Sequence, residues 1–331
     1  MDLDGYLDER LRPHADRYTG LVAGIRVGDG QATLGFGRTH AEGPAPDHRT
    51  GFQIGSVTKV FTALLLADAV HRGEVELDQP LASILPAVAS HPRGRPITLV
   101  DLATHTSGLP RLPSGLQRQA LRNREDPYAA FSTDDLLAAL QRPPARPPGG
   151  RSRYSNYGAG VLGHALAEIG GASFEELVAS RIAGPFALQA TGVAAADLSP
   201  PAAVGHTRRG RPTPDWSLPA LAGAGALRST VDDLLAFLAA HLDPGSGPLA
   251  APVELVLPPR APAGRHLEVA LGWHVLDRKG RPPLWWHNGG TGGFFSFVAF
   301  DPAVPAAVVV LTNSARSVDR LGMLLLDPLG R

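Results

Sequence analysis

The sequence predicts an α/β (α+β) protein: an antiparallel sheet built from both ends of the chain, flanked by helices, with an all-helical part inserted between. Three observations predict it. Two short apolar runs near the N-terminus are split by a glycine turn, as in a hairpin. The middle of the chain is helical, with many prolines and glycines between its helices. The last hundred residues change to short aromatic and β-branched runs joined by Gly, Pro and Asp, the pattern of an antiparallel meander. Strands at both ends around a helical middle imply one sheet shared by the termini. The sheet-bearing part is expected over about 1–60 and 222–331 and the helical part over about 61–221, within a single unit spanning 1–331.

Residues 2–17 are charged and helix-like. "LVAGIRV" (21–27) and "ATLGFG" (32–37), separated by "GDGQ", form the expected hairpin. The run from Val57 to Val70 is apolar on all sides, so its helix should be buried, and His71-Arg72-Gly73 supplies its stop. "STDDLLAALQR" (132–142) opens on a Ser/Thr cap and an acidic first turn, whereas "PPARPPGGRSR" (143–153) cannot be helix. "FEELVASRIAGP" and "TVDDLLAFLAAHL" are further helices. "LGWHVLD", "PLWWHNG", "FFSFVAF" and "AAVVVLTN" are the late strands, and Ala315–Leu326 is a final amphipathic segment. Trp285 and Trp286 alternate across one strand, which would put one in the core and one toward a cleft.

The totals narrow the function. The 331 residues are 44% hydrophobic and 19% charged, a globular composition with enough chain for a large core. Lys+Arg and Asp+Glu are both 31, and no basic stripe suggests nucleic acid. With no cysteine, disulfides, thiol chemistry and zinc-thiolate sites are excluded. The twelve histidines include no pair at metal-binding helical spacing. No run of about 18 apolar residues predicts a membrane span. The first residues have no basic stretch followed by an apolar one, so a cytoplasmic protein is expected, or a secreted one if a leader has been removed.

Only two of the 31 basic residues are lysines, Lys59 and Lys279, and Lys59 lies inside the most apolar run of the chain. A buried charge is costly, and a desolvated Lys, unlike Arg, can lose its proton. Ser56 precedes Lys59 by three residues, so hydroxyl and amine share a helix face at a helix start, where free N–H groups favour a developing oxyanion. A neutral Lys59 beside Ser56 could take its proton. The other reading of S-x-x-K is a capping Ser followed by a snorkelling Lys. "RYSNYG" (153–158) puts Tyr154 and Asn156 two apart in a loop before a helix, a shuttling hydroxyl and an amide that donates and accepts, or else ordinary turn residues. In "WWHNGGTGGFFSF" (285–297), His287 ends a strand and four glycines follow within six residues, allowing close approach of a substrate, or else forming a glycine-rich hairpin. There the Gly290 N–H could pair with that of Ser56 as an oxyanion hole.

Taken in order, Ser56-Val-Thr-Lys59, Tyr154-Ser-Asn156 and His287-Asn288-Gly289 resemble the penicillin-recognising serine hydrolases. The match is to the class C β-lactamase branch with its D-alanyl-D-alanine carboxypeptidase and esterase relatives, over roughly residues 20–313. "GEVELDQPLASILP", "ITLVDLATHTSGLP", "LRSTVDDLLAFL" and "LGW" add to the likeness. The resemblance implies a β-lactamase/transpeptidase-like fold and a serine hydrolase acting on a small ester or amide, with no metal or organic cofactor. In it Ser56 is the acylated nucleophile, Lys59 its base or relay, and Tyr154 the partner base and later the acid toward the leaving group. Asn156, His287, Asn288 and Gly289 contact substrate, and Ser56 and Gly290 form the oxyanion hole. Two departures stand out: the third motif carries His where β-lactamases of this branch have a fixed cation for the substrate carboxylate, and no leader is visible. Together they favour an intracellular esterase, amidase, peptidase or acyltransferase. An imidazole at 287, with an ordinary pKa of about 6.5, would sense a substrate carboxylate near neutrality.

Two other readings remain at this level: an acyltransferase passing the same acyl group to an alcohol or amine, and a non-catalytic ligand-binding member of the family. "GAGVLG" (158–163) matches a dinucleotide fingerprint, but it follows a loop rather than a strand. His105 in "THTSG" reads as a packed histidine in a loop. No G-x-S-x-G is present.

Overall fold

A computed structural model describes residues 1–194, 202–245 and 247–326. Its centre is an eight-stranded antiparallel sheet in the order β2-β1-β10-β9-β8-β7-β6-β5. Strands β1 (Gly20–Val27) and β2 (Gly30–Gly37) come from the N-terminal end. Strands β5 (Ala261–Pro262), β6 (Leu267–Val269), β7 (His274–Arg278), β8 (Arg281–Gly290), β9 (Phe295–Asp301) and β10 (Ala306–Thr312) come from the C-terminal end. The join is β1 on β10, Leu21 opposite Thr312 through Val27 opposite Ala306. The N-terminal hairpin turns at Gly28, whose φ of +55° suits glycine. A second, two-stranded sheet pairs β3 (Phe52–Gln53) with β4 (Arg228–Ser229).

Eleven α-helices stand among the described residues: α1 (Leu3–Leu11), α2 (Thr58–His71), α3 (Leu99–Ala103), α4 (Leu116–Arg122), α5 (Thr133–Leu140), α6 (Asn156–Gly170), α7 (Phe174–Val178), α8 (Ala222–Gly225), α9 (Val231–Leu242), α10 (Ala250–Val256) and α11 (Asp319–Leu326). The expected 2–17 helix is α-helical only to Leu11; Pro13 then opens a 3₁₀ stretch, Arg12–Arg17. In α5, Ser132 and Asp135 form the reciprocal cap that the sequence pattern calls for.

Alternation along the central strands divides the apolar residues between two cores. Leu21, Ala23, Ile25, Val308 and Val310 face α1 and α11. Val22, Val309 and Leu311 belong to the larger core, which runs through α2 and α9 to the helices α3, α5, α6 and α7. Trp285 and Trp286 do alternate, but both pack. Trp285 stacks on Phe300 and donates to the Leu257 carbonyl, while Trp286 stacks on Phe297 in the other core. The cleft-facing tryptophan expected at this pair is therefore absent, because each face of β8 already has a layer to cover it.

Helix α2 lies inside the larger core, buried from Thr58 to Ala69. It ends where Gly73 adopts φ +70° and Glu74 N–H returns to the Ala69 carbonyl. Gly272, at φ +73°, lets the chain before β7 touch it: a Cβ there would sit 2.8 Å from the Lys59 carbonyl oxygen. The "GAGVLG" glycines lie within α6. A Cβ on Gly163 would be 2.8 Å from Gly223 Cα, so they allow α6 to press against α8. Among the described residues no helix is long and apolar enough to cross a membrane.

Candidate active site

Ser56 sits in a 3₁₀ turn, Gly55–Val57, that feeds directly into α2. This turn is held against the end of β8. Ser296 on β9 donates to the Ile54 carbonyl at 2.7 Å, and Ile54 N–H donates to Leu227. Gly55 has φ +49°, and a Cβ there would lie 2.7 Å from Gly290 N. A Cβ on Gly289 would lie 2.0 Å from the Ile54 oxygen and 2.9 Å from Ser56 N. The glycines read from sequence as room for a substrate thus first make room for the nucleophile's own backbone, and they bring Gly290 beside the Ser56 turn.

Lys59 occupies the first turn of α2 and is 3% exposed. Its Nζ donates to Ser56 Oγ at 3.0 Å and to the Ala224 carbonyl on α8 at 2.6 Å. The structure thereby brings together the pair that the spacing predicts. Burial, and then the nearby Arg111 charge, hold the amine well below the ordinary lysine pKa. Among the described residues no carboxylate is a hydrogen-bond partner of this amine, so no ion pair there stabilises the ammonium form.

Tyr154 ends the proline-rich loop one residue before Ser155, the cap of α6, which accepts from Gly158 N–H. Its ring lies 4.8 Å from Lys59 Nζ and 5.3 Å from the Arg111 guanidinium, and its hydroxyl is hydrogen-bonded to Ser56. Burial pushes the phenol up to about 12, against the pull of Ser56 and Arg111. A neutral hydroxyl is therefore the resting form. Asn156, in the first turn of α6, donates to Tyr128 Oη at 3.4 Å, while its buried Oδ1 has no partner among the described residues. Tyr128 in turn packs on Trp216, with ring centroids 5.4 Å apart.

His287 is 1% exposed, and its ring centroid is 6.4 Å from that of Tyr154. Burial, His274 and Lys59 lower its pKa well below the ordinary value. The imidazole is thus neutral across the neutral range, and the expected carboxylate sensor is not what the structure contains. Its Nδ1 lies 2.7 Å from the Asn288 carbonyl and its buried Nε2 has no partner among the described residues. Asn288 points elsewhere, donating to Asp319 on α11 at 2.9 Å. Strand alternation sends it to the other face, so its side chain does not join the expected substrate contacts.

Two histidines complete the surroundings. His105 packs on Tyr154 at 4.7 Å, its Nδ1 accepts from Ser155 N–H, and its carbonyl accepts from Arg153 N–H, so it holds the backbone on both sides of Tyr154. It does so from φ +58°, a strained setting for a non-glycine residue. His274 lies 4.9 Å from His287 and 6.4 Å from Tyr154, and burial lowers its pKa to about 4. Among the described residues no group of three or more His, Asp or Glu is placed to hold a metal ion. The "THTSG" stretch contained the signal for His105. His274 and Tyr128 carried none beyond their residue type.

The family model described as Beta-lactamase matches residues 7–327. The chain is 29% identical over 318 residues to the D-alanyl-D-alanine-carboxypeptidase/endopeptidase AmpH of Escherichia coli (strain K12), covering 89% of this chain and 80% of that protein. It is 28% identical to a beta-lactamase of the same organism, over 80% of this chain and 76% of the other. Its identity to penicillin-binding protein 4 of Amycolatopsis lactamdurans is 30%, over 79% of this chain and 72% of that one.

Proposed function

The chain belongs to the beta-lactamase family and is a serine hydrolase, and on that footing we propose that it cleaves an ester or amide through an acyl-enzyme on Ser56. The observation that carries this reading is the 3.0 Å contact between Ser56 Oγ and a buried Lys59 amine whose pKa burial lowers. In the acylation step Lys59 accepts the hydroxyl proton as Ser56 Oγ bonds to the carbonyl carbon. The developing oxyanion lies between the N–H groups of Ser56 and Gly290. The proton passes by way of Tyr154 to the leaving oxygen or nitrogen as its bond to the carbonyl carbon breaks. A phenol with a pKa of about 12 suits donation rather than resting as an anion, so Lys59 is the base and Tyr154 the acid. Water then gives a proton to the Lys59/Tyr154 pair as its oxygen bonds to the acyl carbon; the bond to Ser56 Oγ breaks, Oγ takes that proton back and the carboxylic acid leaves.

Asn156, whose Oδ1 has no partner among the described residues, would accept from an N–H on the acyl side, with Tyr128 and Trp216 as the neighbouring apolar wall. Two relatives are named as a D-alanyl-D-alanine-carboxypeptidase/endopeptidase and a beta-lactamase, and both names fit an amide cleaved in such a cleft. The test is intact-mass measurement after incubation with a fluorophosphonate and, separately, a penicillin. At least one adduct is expected on the native chain and none on Ser56→Ala. No added mass from either probe, or equal labelling of the variant, would favour a non-catalytic ligand-binding role.

A further inference from the structure

One ring nitrogen of His287 fixes the chemistry of the other. Nδ1 lies 2.7 Å from the Asn288 carbonyl oxygen. A carbonyl only accepts, so Nδ1 carries the hydrogen, and in the neutral ring Nε2 is then a bare lone pair. That acceptor is buried and has no partner among the described residues, a costly state unless a group entering the site meets it. We propose that His287 Nε2 holds the water that hydrolyses the acyl-enzyme, accepting a hydrogen bond from the hydrogen that this water does not give up. The proposal rests on the reading above in which Ser56 is acylated and the Lys59/Tyr154 pair takes the proton of the attacking water.

The neighbours of Nε2 leave it to an incoming group. The Tyr154 ring is 6.4 Å from the imidazole, but its hydroxyl is hydrogen-bonded to Ser56. Lys59 Nζ is engaged by Ser56 Oγ and the Ala224 carbonyl. His274, at the start of β7, stacks on His287 with ring centroids 4.9 Å and planes 25° apart, a face-to-face contact rather than a hydrogen bond. Its own buried Nδ1 has no partner among the described residues. The Lys59 charge bears on both imidazoles, so the pair belongs to the space around the amine and the nucleophile.

Water is the group that fits in every turnover, whatever the substrate. The leaving group departs from beside Tyr154, and the water that replaces it comes to the same side, because Lys59 and Tyr154 must take its proton. One hydrogen of the water goes to that pair as the oxygen bonds to the acyl carbon. The bond to Ser56 Oγ breaks and Oγ recovers the proton. The other hydrogen stays on the new carboxyl group and donates to Nε2 throughout, so His287 gains and loses no proton. An alcohol carries carbon in place of that second hydrogen. It forfeits the bond and sets a carbon against a buried lone pair. The neutral ring therefore favours hydrolysis over acyl transfer. An ammonium at this position could not, since it has donors only.

Turnover of p-nitrophenyl acetate in aqueous methanol tests it, because water and methanol then compete for one acetyl-Ser56 after the phenol has left. Acetate and methyl acetate are counted, and loss of the acetyl group in water is followed by intact mass. His287→Phe keeps a ring without the acceptor, and His287→Gln reaches the Nε2 position with an amide oxygen. The acetate to methyl acetate ratio should fall about fivefold in His287→Phe, the contribution of one neutral hydrogen bond. The fall should come from slower hydrolysis, and the ratio should recover in His287→Gln. If no protein makes methyl acetate, slower hydrolysis in His287→Phe with recovery in His287→Gln supports the water site, and unslowed hydrolysis overturns it. Should His287→Phe misfold, His287→Asn replaces it, keeping a donor for the Asn288 carbonyl but stopping short of Nε2. An unchanged ratio, or both reactions slowed alike, overturns the water site and leaves the acyl-enzyme intact. If neither this ester nor the fluorophosphonate labels Ser56, the acyl-enzyme reading fails and the water site with it.

Discussion

Lys59 and His287 are both titratable, both buried and both near Tyr154, the Lys59 Nζ 4.8 Å from its ring and the His287 ring 6.4 Å away, yet burial does different things for them. For Lys59, burial favours the uncharged amine, the form that the proposed base needs. For His287 it removes the one candidate cation of the third motif. The Lys59 assignment has a direct consequence. Lys59→Arg keeps the charge and most of the length, but a guanidinium cannot accept a proton. A folded Lys59→Arg should lose about 10²–10⁴ in turnover. In the native enzyme, kcat/KM for a neutral ester should rise with pH as Lys59 sheds its proton, with a midpoint well below that of an ordinary lysine, since burial lowers its pKa. A folded variant retaining more than about a tenth of native turnover would take Lys59 out of the proton path.

At the scale of elements, the site is where the start of α2 meets the end of β8. Neither element alone sets the distance between Ser56 and Gly290; the contact between backbones does. Gly289 is the tightest point, with the Ile54 oxygen where its Cβ would be. Gly289→Ala should push the Ser56 turn off β8 and separate the two N–H groups proposed to hold the oxyanion. Displacements of about 1 Å in such geometry can cost roughly 10² in rate. The expected result is a kcat at least that much lower, with a lower melting temperature and an otherwise native circular dichroism spectrum. Near-native kcat would mean that the turn does not depend on this approach. The glycines themselves are visible in "HNGG", but the element they accommodate lies over two hundred residues earlier, so their purpose is not.

For the whole molecule, four histidines are held neutral by burial: His105, His241, His274 and His287. His241 lies among Phe237, Trp273 and Phe300, and burial lowers its pKa to about 4, as it does that of His274. Between about pH 6.5 and 4 the unfolded chain binds protons that the folded one refuses, so stability falls as pH falls through that window. Each of His241 and His274 contributes a loss of up to about 1.4 kcal/mol per pH unit there. Urea midpoints should drop steadily as pH falls from about 6.5 to 5.5, above most of the titration of ordinary carboxylates, and His241→Phe should make that slope shallower. A midpoint constant over this range would show that these rings take up protons without unfolding.

The sequence by itself determined the eight-stranded sheet's two sources, the buried helix and its stop, and the order of the three motifs. These are local facts: period-2 and period-3.6 patterning, glycine stops, and a Ser and a Lys close enough in sequence for one helix turn to join them. The pairing of Ser56 with Lys59 was legible for that reason, as was the placement of Tyr154 and Asn156 at the head of a helix. The tertiary structure decided what depends on packing between distant segments. Desolvation of His287 by its neighbours turned an expected sensor into a neutral ring, and strand alternation with α11 behind it took Asn288 away from the cleft. His105 came to hold Tyr154 through loops some fifty residues apart. Residue type and spacing carry the chemistry a side chain can do; burial and long-range contact fix which form it takes and what it faces.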